Sequence, residues 1–428
     1  MALNGKRTFV GFGFGPIQAG LFLHEAYHSN GFGRMIVAEV MEETVRTVRQ
    51  AGGRISINVA CFDRVEPVLM GPVEMEDPAC PADRIRLVEA IAAAEEIATA
   101  LPSVRHYVSE SAGSVHRLLA EGLRLKAKRC GPRSIVYAAE NHNHAAEILE
   151  EKVLEEIPSE EHEAVRRQVR FLNTVIGKMS GIIYYPAEIE GRELIPIVKT
   201  LNRAFLVEKF NRIFISAIHF DSPGTQPAFR RGIEVFEEKE DLLPFEEAKL
   251  YGHNATHALA AYVGAVRGVR RIADFRDFPD IMRFLRAAFI EESGAALIRR
   301  HAGVDFLFTE DGYRDYADDL LARMVNPYLQ DSVERVGRDA ERKLGWDDRL
   351  AGTVRLAMRQ GVTPRRFAFG IAAAIAEKEG PAHLALEPIW KGANPDPFEQ
   401  KAVLRLVEDA RLHVREWVAA GFPDLEPE

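Results

Sequence analysis

The sequence predicts an α/β chain in two domains: a doubly wound amino-terminal sheet and a mostly α-helical carboxy-terminal part. Three observations predict it. Short apolar runs alternate with amphipathic stretches through the first half, a glycine cluster breaks the first of these runs, and from about Pro186 onward long helical patterns take over. At 428 residues the chain exceeds the roughly 250 to 300 that one core serves, so two domains are expected, 1–185 and 186–428.

The first run, Thr8 to Gly13 (TFVGFG), reads as a strand entering glycines, and Ile17 to Tyr27 (IQAGLFLHEAY) follows with helical apolar spacing. Met35 to Val40 (MIVAEV) is a second buried-strand pattern. Further strands are expected at Arg54 to Val59, Arg105 to Val108 and Ser134 to Ala139, with helices at Ile85 to Thr99, Val115 to Lys128 and His144 to Leu154. Such alternation implies right-handed crossovers and a ligand crevice outside the carboxyl ends of the strands. In the second half, helices are expected over Glu246 to Arg267, Ile281 to His301, Tyr313 to Met324 and Pro397 to Ala420.

Composition narrows the function classes. The 47% hydrophobic content contains no apolar run near the roughly 20 residues of a bilayer span, so no membrane partner is expected. The formal charge of -9 repels a phosphate backbone, which argues against nucleic acid. Cys61, Cys80 and Cys130 are widely spaced and form neither a disulfide framework nor a zinc set. With no secretion signal expected at the start, a cytoplasmic location follows, with a monomer or small homo-oligomer and no metal.

The glycines carry the first chemical reading. Strand, tight turn, helix and strand form a βαβ unit of Rossmann type, in which Gly13 and Gly15 let the backbone approach a pyrophosphate and the helix opening at Pro16 and Ile17 presents free N–H groups. Glu39 stands 26 positions after Gly13, where a carboxylate accepts from ribose hydroxyls and disfavours a 2′-phosphate; the expected cofactor is NAD. A GxGxxG register from Gly13 meets Gln18 at the third glycine position, with Gly20 two residues later, and a register from Gly11 ends on Pro16. A glycine cluster alone also marks any tight strand-to-helix turn; the acidic residue is what points to a ribose. Glu140-Asn141 lies at another strand end, where Asn141 would face nicotinamide or substrate while Asn141 or Asn143 caps the next helix. His142 and His144 lack a third ligand at a metal spacing.

The second chemical reading lies in EEAKLYGHNATHALAAYVGAVR (Glu246 to Arg267), an alanine-rich apolar helix carrying Lys249, Asn254 and His257. At about 100° per residue these three share a sector of roughly 140° and can converge on one ligand. Oxidising a secondary alcohol requires a base for the hydroxyl proton and donors for the developing oxyanion. A lysine desolvated in an apolar pocket supplies that base without a metal, because burial disfavours the ammonium. Asn254 and His257 would then orient the reacting oxygen. Taken singly, each has a plainer role as a surface charge, a cap or a core histidine.

Together these residues resemble the polyol-specific long-chain dehydrogenases, the mannitol dehydrogenase family. Lys249, Asn254 and His257 match its Lys-x4-Asn-x2-His signature, and Glu140-Asn141 matches its strand-end acidic-Asn pair. EESGAALIRR (Glu291 to Arg300) and NPYLQDSVERVGRDAERKL (Asn326 to Leu344) are similar to its mannitol phosphate branch. The resemblance implies a Rossmann domain joined to a helical one, NAD as cofactor, Lys249 as general base or acid, Glu140 in the cofactor site, and Asn141, Arg335 and Lys343 as substrate contacts. Arg338 and Arg342 flank these in an arginine-rich stretch, and guanidinium forks suit a phosphate, against the plainer reading of a solvated helical face.

Where the family carries Val-Asp-Arg-Ile, with an aspartate on the polyol hydroxyls, this chain reads Val175-Ile176-Gly177-Lys178; Glu188, Glu190 or Asp221 are the compensating candidates. The leading expectation is NAD-linked interconversion of a hexitol phosphate and a ketose phosphate, of the mannitol 1-phosphate and fructose 6-phosphate kind. An unphosphorylated polyol or sugar-acid dehydrogenase is the alternative. A non-catalytic NAD-binding sensor would have no need of Lys249, Asn254 and His257 in one helix.

Overall fold

The computed structural model describes residues 7–220, 229–329, 331–377 and 385–425. Contacts divide the chain into two compact units, Met1–Leu242 and Leu243–Glu428. The boundary therefore falls well beyond the expected 185. The reason is in the segment 186–242, where the strands Ala204–Glu208, Phe214–Ser216 and Glu237–Lys239 pair into sheets of the first unit.

Among the described residues, twelve strands build the first unit: β1 (Arg7–Phe12), β2 (Phe32–Ala38), β3 (Ile55–Ala60), β4 (Val65–Met70), β5 (Glu74–Glu76), β6 (Glu96–Thr99), β7 (Ser134–Ala138), β8 (Val169–Val175), β9 (Ser180–Ile183), β10 (Ala204–Glu208), β11 (Phe214–Ser216) and β12 (Glu237–Lys239). Eight form one sheet in the order β12-β11-β8-β7-β6-β1-β2-β5, parallel from β5 across to β8. The order reverses between β1 and β6, so the chain's first crossover goes one way and a later one the other. This switch point leaves a crevice at the carboxyl ends of β1 and β6. Alternation along β1 feeds both faces: Phe9 enters one core cluster and Val10 the other.

Two sequence expectations change here. The strand expected at Arg105 to Val108 is a 3₁₀ turn, Val104–Tyr107, and the strand in that region is β6, inside the stretch read as the helix Ile85 to Thr99. That helix runs only Pro81–Ala93, since Ala94 turns extended and the four residues of β6 are buried between β1 and β7. Apolar spacing alone does not separate a short buried strand from the end of a helix.

β3 leaves the main sheet and joins β4-β3-β10-β9, which packs over the helix that follows the glycines. That helix is wound as a π segment over Gln18–Leu23 before continuing as His24–His28. Its packing explains the irregular glycine register. A Cβ on Gly20 would come 2.4 Å from Val207 Cγ1 on β10, and a Cβ on Gly11 would come 2.4 Å from Gln18 Nε2. Gly20 thus serves the close approach usually met by a third glycine, and Gly11 makes the room that Gln18 takes.

The second unit is helical. Its centre is Ala255–Arg267, against which Val333–Gly337, Arg349–Arg359 and Arg365–Glu377 pack. Small residues permit the approach: a Cβ on Gly370 would lie 2.5 Å from Leu259 Cδ1. Among the described residues no helix is long and apolar enough to cross a membrane.

Candidate active site

In the first unit the site begins at the carboxyl end of β1. Gly13 takes φ of +81°, which a side chain rarely tolerates, and its N–H bonds Ala38 O at 2.9 Å. A Cβ there would sit 2.9 Å from Ala100 O beyond β6, whereas a Cβ on Gly15 would meet nothing within 4 Å. The helix then opens at Pro16, the first-turn position that costs no N–H bond, and Ile17 follows half-buried. Turn, switch point and open approach at Gly15 fit a dinucleotide pyrophosphate. Glu39 ends the neighbouring strand, and its carboxylate accepts from Phe14 N at 2.9 Å and Met41 N at 2.7 Å. It clamps the glycine turn to the end of β2, and each oxygen keeps a further lone pair for a ribose hydroxyl.

At the end of β7 the Glu140-Asn141 pair separates into two roles. Glu140 is buried, and accepts from Thr99 Oγ1 and Leu101 N, both at 2.8 Å, and from the Tyr107 hydroxyl. Burial raises its pKa against these donors. Its carboxylate braces the ends of β6 and β7. Asn141 is exposed at the strand end. Neither Asn141 nor Asn143 caps the following helix, whose first turn is held by Asn173 Oδ1 accepting from Ala146 N at 2.8 Å. Among the described residues, no group of three His, Cys, Asp or Glu side chains could hold a metal ion.

The second unit holds Lys249, Asn254 and His257 on one helical run, but the run is not α-helical throughout. Ala248–Asn254 is a π segment between Leu243–Glu247 and Ala255–Arg267. A π turn closes through i→i+5 bonds and winds less per residue than an α turn, so residues five apart come nearer to one face. Lys249 and Asn254 are five apart, and His257 stands one α turn further on. The convergence is tighter than constant α winding gives. Room for the wide turn comes from Gly252, where a Cβ would strike Tyr313 Oη at 2.6 Å and Phe289 Cε2 at 2.7 Å.

Burial and neighbouring charges shift the titration of Lys249 and His257. Burial pulls the Lys249 ammonium down to about 8, with Arg349 pushing the same way and Glu246 opposing. Burial takes His257 to about 4, opposed by Asp331 and aided by Arg335, Lys343 and Arg349, so its ring is neutral at neutral pH. Its Nε2 is buried without a hydrogen-bond partner, an atom left for a ligand. Sequence reading passed over Arg349 altogether. This guanidinium bears on Lys249, His253, His257 and Lys343 alike, from a helix whose Thr353 hydroxyl bonds Tyr251 O at 3.1 Å. Asp348-Arg349 carries no motif by itself, so only the packing exposes it.

The arginine-rich stretch is not one helix. Val333–Gly337 and Ala340–Lys343 are separated by Arg338 and by Asp339 in the left-handed region at φ 58°. Arg335 pairs with Asp331, and Arg342 is exposed 3.7 Å from Asp339. Lys343 is buried and gives its ammonium to the carbonyls of Val336 and Arg338, fixing the bend. Arg338 is exposed. Where the family aspartate would stand, Ile176 packs on the first unit's core, and Lys178 bonds Phe210 O and Asn211 Oδ1. Glu188 pairs with Arg192 at 2.9 Å, Glu190 is exposed, and Asp221 lies outside the described residues.

Residues 241–385 match the Mannitol dehydrogenase C-terminal domain. The mannitol-1-phosphate 5-dehydrogenase of Bacillus pumilus is 30% identical over 368 residues, covering 85% of this chain and 86% of that protein. The enzyme of the same name from Bacillus licheniformis is 28% identical over 365 residues, with the same two shares. Among solved structures, a D-sorbitol dehydrogenase superposes with a TM-score of 0.76 at 16% identity, covering 98% of this chain and 95% of its own. Pseudomonas fluorescens mannitol 2-dehydrogenase, solved with NAD and D-mannitol, gives 0.63 at 15% identity, covering 98% and 88%. These likenesses show the same fold, and with the identity along most of its length the chain belongs to the mannitol dehydrogenase family.

Proposed function

We propose that the chain is an NAD-dependent, metal-independent oxidoreductase interconverting a secondary alcohol and a ketone on a polyol phosphate, of the mannitol 1-phosphate and fructose 6-phosphate kind. The observation that carries the reading is the face holding Lys249, Asn254 and His257, with a lysine titrating at about 8 beside a neutral histidine that has an unpartnered nitrogen. In the oxidative direction neutral Lys249 takes the hydroxyl proton as the carbon–hydrogen bond gives up its hydride. Asn254 and His257 position the reacting oxygen and hold the charge that develops on it. In the reverse direction the Lys249 ammonium returns the proton to the carbonyl oxygen.

Gly13, Gly15 and the helix start at Pro16 and Ile17 would hold the pyrophosphate of NAD, Glu39 its ribose, and Asn141 the strand end beside it; NAD supplies the hydride acceptor. The mannitol-1-phosphate 5-dehydrogenases of Bacillus support the phosphorylated substrate. Ile176 in the place of a polyol-binding aspartate favours a second reading, an unphosphorylated polyol or sugar acid on the same machinery. Three free cysteines fit a reducing cytoplasm, and a monomer or small homo-oligomer completes the reading.

The test is NADH formation at 340 nm with NAD and a panel of polyols, polyol phosphates and hexonates, repeated with NADP and with a chelator. Turnover restricted to hexitol phosphates, preferring NAD and insensitive to chelation, is the expected result. Turnover only without phosphate selects the second reading. Silence across the panel, with NAD still bound, would point to a sensor.

A further inference from the structure

The second unit contains a cavity of about 710 Å³ floored by Ala261 and Ala265 of the helix that carries the candidate catalytic groups. On that helix, Ala261 and Ala265 lie seven and eleven residues after Asn254, which at about 100° per residue returns both to within roughly 20° of it. The cavity floor therefore continues the face of Asn254, and it is turned from His257 by about 40° at Ala261 and about 80° at Ala265. With a rise of 1.5 Å per residue it lies about 6 to 12 Å beyond His257 along the axis. That offset is on the scale of an extended polyol chain.

Three donors of the polar lining, on Arg270, Arg338 and Tyr262, have no partner, and they share it with two carboxylates, Glu334 and Glu377. Among the described residues, Arg270 and Arg338 make no ion pair and no side-chain hydrogen bond, although both line the cavity. Arg271 also lines it and leans on Asp274 at 3.7 Å. Tyr262, also in the lining, is buried, and its hydroxyl has no hydrogen-bond partner. Glu334 and Glu377 share the lining, and neither pairs with Arg270 or Arg338. Two idle guanidinium forks and an idle hydroxyl suit an acceptor-rich tetrahedral anion, which takes several charge-assisted bonds at once. Arg342 is not part of the lining.

We infer that this cavity takes the phosphate end of the substrate, with Arg270 and Arg338 as its forks and the Tyr262 hydroxyl as a neutral donor. The inference rests on the polyol phosphate reading and deepens it: Arg338 keeps its expected role, Arg270 joins it, and Arg342 leaves the site. Phosphate selectivity then depends on Arg270, a residue outside every motif that marks the family.

The experiment measures kcat/KM for mannitol 1-phosphate and for mannitol in the intact enzyme and in Arg270→Ala, Arg338→Ala and Tyr262→Phe. Each arginine variant should lower the ratio of the two by roughly tenfold to a hundredfold, chiefly through KM for the phosphorylated substrate. Tyr262→Phe should lower it by a smaller factor. Arg270→Lys should restore part of the loss, since it returns the charge without the fork. Inorganic phosphate should compete with mannitol 1-phosphate and lose that competition in Arg270→Ala. A wild-type enzyme selective for mannitol 1-phosphate whose ratio survives both arginine substitutions overturns the cavity and leaves the proposed function standing. Phosphate that binds in the Arg270-dependent manner without competing with mannitol 1-phosphate reassigns the cavity to a free anion and also overturns the inference. If wild-type enzyme neither prefers nor binds mannitol 1-phosphate, the polyol phosphate reading falls and takes the cavity assignment with it.

Discussion

Of the three π turns among the described residues, Gln18–Leu23 in the first unit and Ala248–Asn254 in the second put the same distortion to different uses; the third is Ala288–Gly294. In the first unit every residue of the π segment is buried, and the turn serves packing: Gly20 lies against Val207, and Gln18 is pressed on Gly11 with both amide atoms unpartnered. In the second unit the π segment begins and ends near polar groups, Lys249 and Asn254, which the wide turn brings nearer to one face. A π turn is a backbone device of fixed geometry. Whether it packs or reacts is decided by the side chains five residues apart.

The largest effect that separates the two turns is expected from Lys249→Ala. Turnover should fall by roughly two to four orders of magnitude while NAD binding, followed by quenching of protein fluorescence, stays intact. Unchanged turnover would remove Lys249 from the chemistry and leave both π turns as packing features.

Next come the glycines that admit each turn. Gly252→Ala places a Cβ against Tyr313 and Phe289, and Gly20→Ala places one against Val207, so each should cost about 1 to 3 kcal/mol in denaturant unfolding. Only Gly252→Ala should also lower kcat in proportion to the shift of Lys249 relative to Asn254. Equal kinetic penalties in the two variants would erase the distinction.

The pH dependence gives a finer reading. Neutral Lys249 is the base for oxidation, so kcat/KM in that direction should climb about tenfold per pH unit below its midpoint near 8 and level off above it. Reduction needs the ammonium and should decline through the same midpoint. A midpoint at the ordinary lysine value would show that burial does not act on this group. The smallest effect is expected from Gln18→Met, which removes a buried, unpartnered amide at nearly constant shape. Stability should rise by about 1 kcal/mol, a melting increase of roughly 2 to 4 °C, with kinetics unchanged.

Much of this was legible in the residues themselves. Short apolar runs located β1, β2 and β7, and the helix expected at Val115 to Lys128 is found at those bounds. The spacing of Lys249, Asn254 and His257 identified the candidate chemistry. Less legible were the elements whose state depends on neighbours. β6 reads as the tail of a helix because its strand character comes from burial between β1 and β7. The inward partners of Glu140 and Lys343, Thr99, Leu101 and Tyr107 in one case and Val336 and Arg338 in the other, do not show in the motifs that hold them.

By itself the sequence determined the two-part architecture, the glycine turn and the set of groups on the candidate catalytic helix, because these rest on local periodicity and on residues close in the chain. Only the tertiary structure decided the boundary at Leu242, the π winding that brings Lys249 and Asn254 nearer to one face, the reach of Arg349 and the idle guanidiniums of Arg270 and Arg338. Those depend on which distant side chains crowd, desolvate or leave unpaired a given group, and desolvation and pairing are properties of the packed chain rather than of any stretch of it.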